Sequence, residues 1–133
     1  MMIANRSIPA TTVIPELGYV DVNQAADWLC DVFGFTVRLR IANHRIQLNV
    51  GDGAVVVTES AGGSSSVMVR IADVDQHYER ARERGAEILR MPESYPYGER
   101  QYSVRDLGGH RWKFSQSIAD VAPEEWGGTG VNL

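Results

Sequence analysis

The chain has 133 residues, 44% of them hydrophobic, with 13 basic and 17 acidic side chains and a formal charge of −4. That length and apolar fraction suffice for one core and imply a single domain. The acidic balance, with a pI near 5.3, excludes a general nucleic-acid or bilayer surface, which needs positive charge clustered over a face. Cys30 is the lone cysteine, so an internal disulfide is excluded; flanked by Asp27 and Asp31, its thiol pKa is raised, and it reads as a packed helix cysteine in a reducing compartment. Residues 1–12 hold no apolar run long enough for a secretory signal, and no window approaches the ~20 apolar residues of a membrane helix. A cytoplasmic protein is expected.

Residues 13–20 read as a strand, with Val13, Leu17 and Tyr19 apolar and Pro15 tolerable only at an edge or an irregular entry. Residues 21–23 supply capping side chains, and Ala25, Ala26, Trp28, Leu29, Val32 and Phe33 recur at helical spacing until Gly34. Residues 36–42 alternate, placing Val37, Leu39 and Ile41 on one face and Arg38 and Arg40 on the other. A turn at Asn43-His44 leads to a strand at 45–50, where Ile46, Leu48 and Val50 oppose Gln47 and Asn49. Gly51-Asp52-Gly53 is a turn signal, and 54–58 is a β-branched strand.

A short, small and polar connection at 61–65 marks flexibility and not a domain boundary. The order then repeats. Residues 66–71 read as a strand, with Val67, Val69 and Ile71 opposite Met68 and Arg70. Asp73 and Asp75 open a helix whose stripe of Val74, Tyr78 and Ala81 runs to Gly85, leaving His77 on the solvent side. A short strand at 86–90, a proline-bounded loop at 91–96 and a hairpin follow. The hairpin pairs 100–105 with 110–116 around Asp-Leu-Gly-Gly; His110, Trp112 and Phe114 form its aromatic face and Arg111, Lys113 and Ser115 its polar one. The tail, 118–133, reads as a mobile or docking extension.

The resulting class is α+β: two β-α-β-β-β modules, about 13–59 and 66–116, building a curved mixed sheet with helices on the convex side and an open concave cleft. The polar set facing that cleft is Glu16, Arg38, Arg40, Gln47, Asn49, Met68, Arg70, Arg111 and Lys113. A four-residue hairpin turn adds Arg100 and Tyr102. Convergent Arg and Lys raise the local concentration of an anion, and Arg forks hold carboxylate or phosphate oxygens bidentately. The same arginines also solubilise an open sheet and pair with acids across strands. Tyr95, Tyr97 and Tyr102 offer a stacking wall for an aromatic ligand.

The duplication, the D-V-x-x-A-x-x-W-x-x-x-x-F-G-F run at 21–35, A-D-V-D at 72–75, R-E-R-G-A at 82–86, Y-G-E-R at 97–100 and D-L-G-G-H-R-W at 106–112 resemble the vicinal oxygen chelate superfamily. That group holds glyoxalases, bleomycin-resistance proteins and extradiol dioxygenases, and the wording of the last two motifs is most similar to its PhnB-like branch. The resemblance covers about residues 13–116 and implies the fold; it says little of the reaction, because one fold hosts many activities.

In the enzymes of that group, His, Glu or Gln side chains hold a divalent metal, which wants three or four N/O donors at about 2.0–2.2 Å. The resemblance places those ligands at Ile14, at Val56 or Val57, at Ser66 and at Lys113. Hydrocarbon donates nothing there, and an ammonium would stand where a cation belongs, so no cofactor is expected. His44 in a turn, His77 and His110 read as surface or hydrogen-bonded structural histidines. Ser7, Ser66 and Ser103 lack a Gly-x-Ser-x-Gly context.

The expected function is metal-independent binding of a small anionic or aromatic molecule, as in sequestering members of the resembled family. Those members commonly pair as homodimers, and an edge strand beginning at Val13 is available for such a contact. No nucleic-acid or membrane partner is expected. The alternative is a lyase, isomerase or dioxygenase-like oxidoreductase using a displaced metal, or only Glu16, Arg100 and Tyr102 as acid-base and anion-stabilising groups.

Overall fold

The structure, a computed structural model, describes residues 3–61 and 63–133. Met1, Met2 and Gly62, the last within the expected connection at 61–65, lie outside the described residues. Two units make up the chain: residues to Ser65 together with Asp106–His110, and Ser66–Arg105 together with Arg111–Leu133. Each holds one β-α-β-β-β module as a four-stranded mixed sheet with a helix.

In the first unit, β1 (Glu16–Tyr19), β2 (Thr36–Ile41), β3 (Arg45–Val50) and β4 (Gly53–Glu59) lie in the order β1-β4-β3-β2, with β1 parallel to β4 and the other pairs antiparallel. Helix α1 (Val22–Phe33) starts where the Asp21 carboxylate accepts the Gln24 amide, and stops at Gly34, whose φ of 80° suits a residue without Cβ. Val22, Ala25, Ala26, Leu29, Val32 and Phe33 form its buried stripe. They complete a core with Leu17, Tyr19, Ile46, Leu48, Val55 and Val57, each large member contributing about 1.5–3 kcal/mol relative to exposure. Burial first, and then Asp27, push the Cys30 thiol up, while Arg40 opposes them.

In the second unit, β5 (Ser66–Arg70), β6 (Glu87–Ser94), β7 (Glu99–Arg105) and β8 (Arg111–Ser117) repeat that order as β5-β8-β7-β6. Helix α2 (Val74–Glu83), capped by Asp73 onto the Gln76 amide, buries only Val74 and Ala81 completely. Its stripe is completed by His77, a correction to the solvent-side placement. The His77 ring lies 4.0 Å from that of Phe114, and its Nδ1 is 2.5 Å from the Tyr102 hydroxyl. Strand β6 also runs through the expected loop at 91–96 as far as Ser94; it is an edge strand, where Pro92 costs no ladder bond. The tail docks on this unit: the Ile118 and Ala119 amides donate to Gly98 O, and Trp126 meets Tyr97 edge to face.

The two modules share a defect. Register shifts fall between Val37 and Leu39 in β2 and between Ile88 and Arg90 in β6, at matching distances after Gly34 and Gly85. Each bulge inserts one residue and exchanges the faces of the residues that follow it, in β6 as far as a second shift between Arg90 and Glu93. Leu39 therefore pairs with Gln47, and Arg90 with Ser103, on the face away from the helix.

Candidate binding site

The polar face of the second sheet carries an open pocket of about 530 Å³. Arg111 and Lys113 enter it from β8, alternating with the buried Trp112 and Phe114. Arg90 enters from β6 because of the bulge. Tyr95 and Tyr97 form one wall, their rings stacked 5.3 Å apart and within 4° of parallel. Gln101 and Ser103 supply the polar floor from β7, and Ser66 and Met68 the side formed by β5. Three cations thus stand around a flat aromatic wall.

Behind the wall runs a chain of hydrogen bonds. Tyr97 donates to Gln101 Oε1 at 3.1 Å, Gln101 Nε2 to Ser115 Oγ at 3.0 Å, and Ser115 Oγ to Glu99 Oε1 at 2.6 Å. The Ser115 and Ser117 hydroxyls, and to a lesser degree Arg70, hold the Glu99 carboxyl below its ordinary range despite some desolvation. At the outer edge, Arg90 donates to the Tyr95 hydroxyl, which donates to Glu93, both at 3.2 Å.

Of the residues expected to share one polar face, Met68, Arg111 and Lys113 line this pocket. Arg70 follows Met68 by two on β5, beside Glu99, and is outside the lining. Arg100 and Tyr102 require correction. The hairpin turn holds five residues, Asp106–His110, so Arg105 pairs with Arg111 and Tyr102 with Phe114. One added residue moves Arg100 and Tyr102 to the helix face: Arg100 grips Asp75 at 3.0 Å, and Tyr102 is fully buried against α2. Burial pushes the Tyr102 phenol up. Gln101 and Ser103 take the places expected for them.

Arg40 requires correction for the same kind of reason. Beyond the bulge it turns to the helix side, donating to Asn23 Oδ1 at 3.1 Å and lying 3.9 Å from Asp27. The remaining members of the expected set belong to the first unit and are engaged there. Glu16 pairs with Arg45 at 2.8 Å, and Asn49 donates to Thr36 at 3.2 Å. Arg38 donates to Gln47 and to the Arg6 carbonyl, and Gln47, 1% exposed, holds the Ser7 carbonyl at 2.7 Å. The N-terminal segment lies over this part of the first sheet.

Sequence reasoning overlooked Arg90, because the bulge that turns it to the pocket face leaves no mark in the alternation of β6. His44 is an exposed turn residue 3.6 Å from Glu59. His110 is buried and bonded to backbone on both ring nitrogens. Among the described residues no group of three His, Cys, Asp or Glu side chains is placed to hold a metal ion. Ile14, Val56, Val57, Ser66 and Lys113 do not fit a resident divalent metal either.

A profile of the Glyoxalase/Bleomycin resistance protein/Dioxygenase superfamily matches residues 12–114. Among solved structures, TioX from Micromonospora sp. ML1 is 37% identical, with a TM-score of 0.74 over 82% of this chain and 100% of that one. Lactoylglutathione lyase from Agrobacterium tumefaciens is 16% identical, with a TM-score of 0.69 over 83% of this chain and 96% of that one, a likeness of fold alone. An uncharacterised protein of Mycobacterium bovis is 29% identical over 92 residues, 69% of this chain. A counterpart in Mycobacterium tuberculosis matches at the same identity. This chain spans 59% and 52% of the lengths of those two relatives. The duplicated modules and the match over residues 12–114 lead to one conclusion: the chain belongs to the Glyoxalase/Bleomycin resistance protein/Dioxygenase superfamily.

Proposed function

We propose that the chain binds a small aromatic anion in the pocket of its second unit, without a resident metal, and acts by holding that molecule. The observation that carries this reading is the placement of Arg90, Arg111 and Lys113 around the stacked Tyr95 and Tyr97. Each charge-assisted contact contributes on the order of 1.5–3 kcal/mol and ring stacking about 0.5–1.5 kcal/mol, so two contacts plus stacking support affinity between roughly millimolar and a few micromolar. A volume of about 530 Å³ lies in the range of small-ligand sites. Binding needs neither a nucleophile nor a paired acid and base, and the pocket-lining residues include neither histidine nor cysteine.

A thermal-shift comparison of 2-naphthoate, benzoate and inorganic phosphate, each with and without EDTA, tests the proposal. A ligand that favours the native state raises its melting temperature by mass action. The expected result is a saturable rise with 2-naphthoate that EDTA leaves unchanged and that the double variant Arg111→Met/Lys113→Met lacks. A rise that appears only with added Ni²⁺, Zn²⁺, Fe²⁺ or Mn²⁺ would replace this reading with a metal-dependent enzyme.

A further inference from the structure

The hydrogen-bond chain behind the tyrosine wall has a direction, and its far end sets that direction. Glu99 is ionised at neutral pH, since two serine hydroxyls stabilise its charged form, and an ionised carboxylate only accepts. The Ser115 proton must therefore point at Glu99, across 2.6 Å. Ser115 Oγ then accepts from Gln101, which fixes the amide nitrogen on that side and turns Oε1 to Tyr97. An amide oxygen only accepts, so the single phenolic proton of Tyr97 is directed inward. The second tyrosine is ordered in the same way: Tyr95 donates to the Glu93 carboxylate and accepts from Arg90. In consequence the tyrosine wall has no free O–H donor, while the Tyr97 oxygen keeps lone-pair capacity at the pocket. Donors to a ligand come instead from Arg90, Arg111 and Lys113 and from the Ser66 and Ser103 hydroxyls.

We propose that this pocket reads hydrogen-bond polarity: it selects an aromatic anion that also carries a hydroxyl or N–H donor for the Tyr97 oxygen, and rejects the same ring bearing an acceptor there. The inference rests on the preceding reading of the pocket as an aromatic-anion site and names the ligand class within it. The anionic group meets Arg111 and Lys113, and the donor meets the wall. Tyr97 thereby acts as a specificity residue whose polarity is set remotely by Glu99, through Ser115 and Gln101.

Three probes that differ in one substituent test this: 2-naphthoate, 6-hydroxy-2-naphthoate and 6-methoxy-2-naphthoate, titrated into the full chain by calorimetry at neutral pH. The hydroxy compound is expected to bind about tenfold tighter than the methoxy compound, because an acceptor facing an acceptor leaves both unpaired. In Tyr97→Phe the hydroxy-to-methoxy ratio is expected to fall toward one. Glu99→Gln is the decisive variant. Its amide can present either its oxygen or its nitrogen to Ser115, so the chain loses its fixed direction, the Tyr97 proton is released to turn either way, and the hydroxy-to-methoxy ratio is expected to fall toward one. A merely structural role for Glu99 would not change the ratio between two ligands. Equal binding of the hydroxy and methoxy compounds by the unaltered protein, while 2-naphthoate binds, overturns the inference and leaves the anion site standing. An unchanged ratio in a Glu99→Gln variant whose melting temperature is native-like overturns it as well. Failure of all three naphthoates to bind overturns the anion-site reading and this inference with it.

Discussion

Tyr19 donates its phenolic proton to Asp106 Oδ2 at 2.5 Å, inside the first unit and across 87 positions of sequence. The other oxygen of the same carboxylate accepts the amides of Gly108 and His110, at 2.9 and 3.0 Å. Gly108 sits so close under the tyrosine ring that a Cβ would stand 2.5 Å from Tyr19 Cδ2. His110 closes the arrangement: its Nδ1 accepts the Ser65 amide at 3.0 Å, so its Nε2 carries the proton donated to Gly18 O at 2.8 Å. These bonds hold the turn at five residues. Turn length sets the pairing of β7 with β8 and, through it, which side chains of β7 face the pocket.

Tyr19→Phe is expected to cost about 1–3 kcal/mol, because it removes a buried hydrogen bond to a carboxylate. The pH dependence follows from the phenol, which burial first and Asp106 second push well above its ordinary value. A group whose folded pKa is raised contributes stability below its unfolded value, near 10 for tyrosine, and loses it as pH rises further. Urea melts between about pH 9 and 12 should therefore show the parent protein falling more steeply than Tyr19→Phe. The Tyr102 phenol, pushed up by burial, has the same sign, so Tyr19→Phe/Tyr102→Phe should flatten the profile further. Parallel profiles for parent and variants would remove the phenol from the account.

The two bulges make opposite predictions for two arginines that look alike in sequence. Arg40→Met breaks contacts to Asn23 and Asp27 whose members are 46% and 77% exposed in the ion pair. The expected cost is below about 1 kcal/mol in stability, with no change in affinity for 2-naphthoate. Arg90→Met removes an exposed cation from the pocket, and affinity should fall about two- to fivefold. Calorimetry on both variants decides whether the register assignments are right.

Those arginines also show how much the sequence discloses. The order of elements, both aspartate N-caps, the glycine stop of α1 and the aromatic face of β8 are local features, and alternation and capping chemistry reveal them directly. A bulge leaves no comparable mark: T-V-R-L-R-I alternates without interruption although its pairing shifts at Arg38. Turn length was equally hidden, because Asp-Leu-Gly-Gly-His reads as a four-residue turn followed by a strand residue. The run Q-Y-S-V-R did carry a corrective signal: Tyr102 and Val104 alternate with polar residues, so a buried face for Tyr102 fits the pattern better than an open one. The directed chain from Tyr97 to Glu99 was not legible, since it passes through Ser115 of β8, whose register against Gln101 and Glu99 of β7 that same turn determines.

Gly98 is a position where no side chain fits. Its φ is 85°, and a Cβ would lie 2.0 Å from the Ala119 carbonyl oxygen, a backbone atom of the docked tail. The residue also accepts the amides of Ile118 and Ala119. Gly98→Ala is expected to cost about 2 kcal/mol or more through strain and displacement of the tail. Limited proteolysis should then cleave within 118–133 at least several-fold faster than in the parent chain. Equal cleavage rates would mean that the tail contacts do not depend on this close approach.

Trp126 connects that tail to the pocket. Its ring meets Tyr97 edge to face at 5.7 Å, and its Nε1 donates to Val121 O at 3.2 Å. Tyr97 therefore has Tyr95 on one side and Trp126 on another, and its freedom to shift away from a ligand is limited by both. An aromatic pair of this kind is worth about 0.5–1.5 kcal/mol beyond its buried area, so Trp126→Ala should weaken 2-naphthoate binding by about two- to tenfold. Because Trp126 is 41% exposed, the same substitution should change the melting temperature little. Trp126→Phe, which keeps an edge for Tyr97, should restore most of the affinity. If Trp126→Ala binds 2-naphthoate as tightly as the parent chain, the tyrosine wall holds its place without the tail.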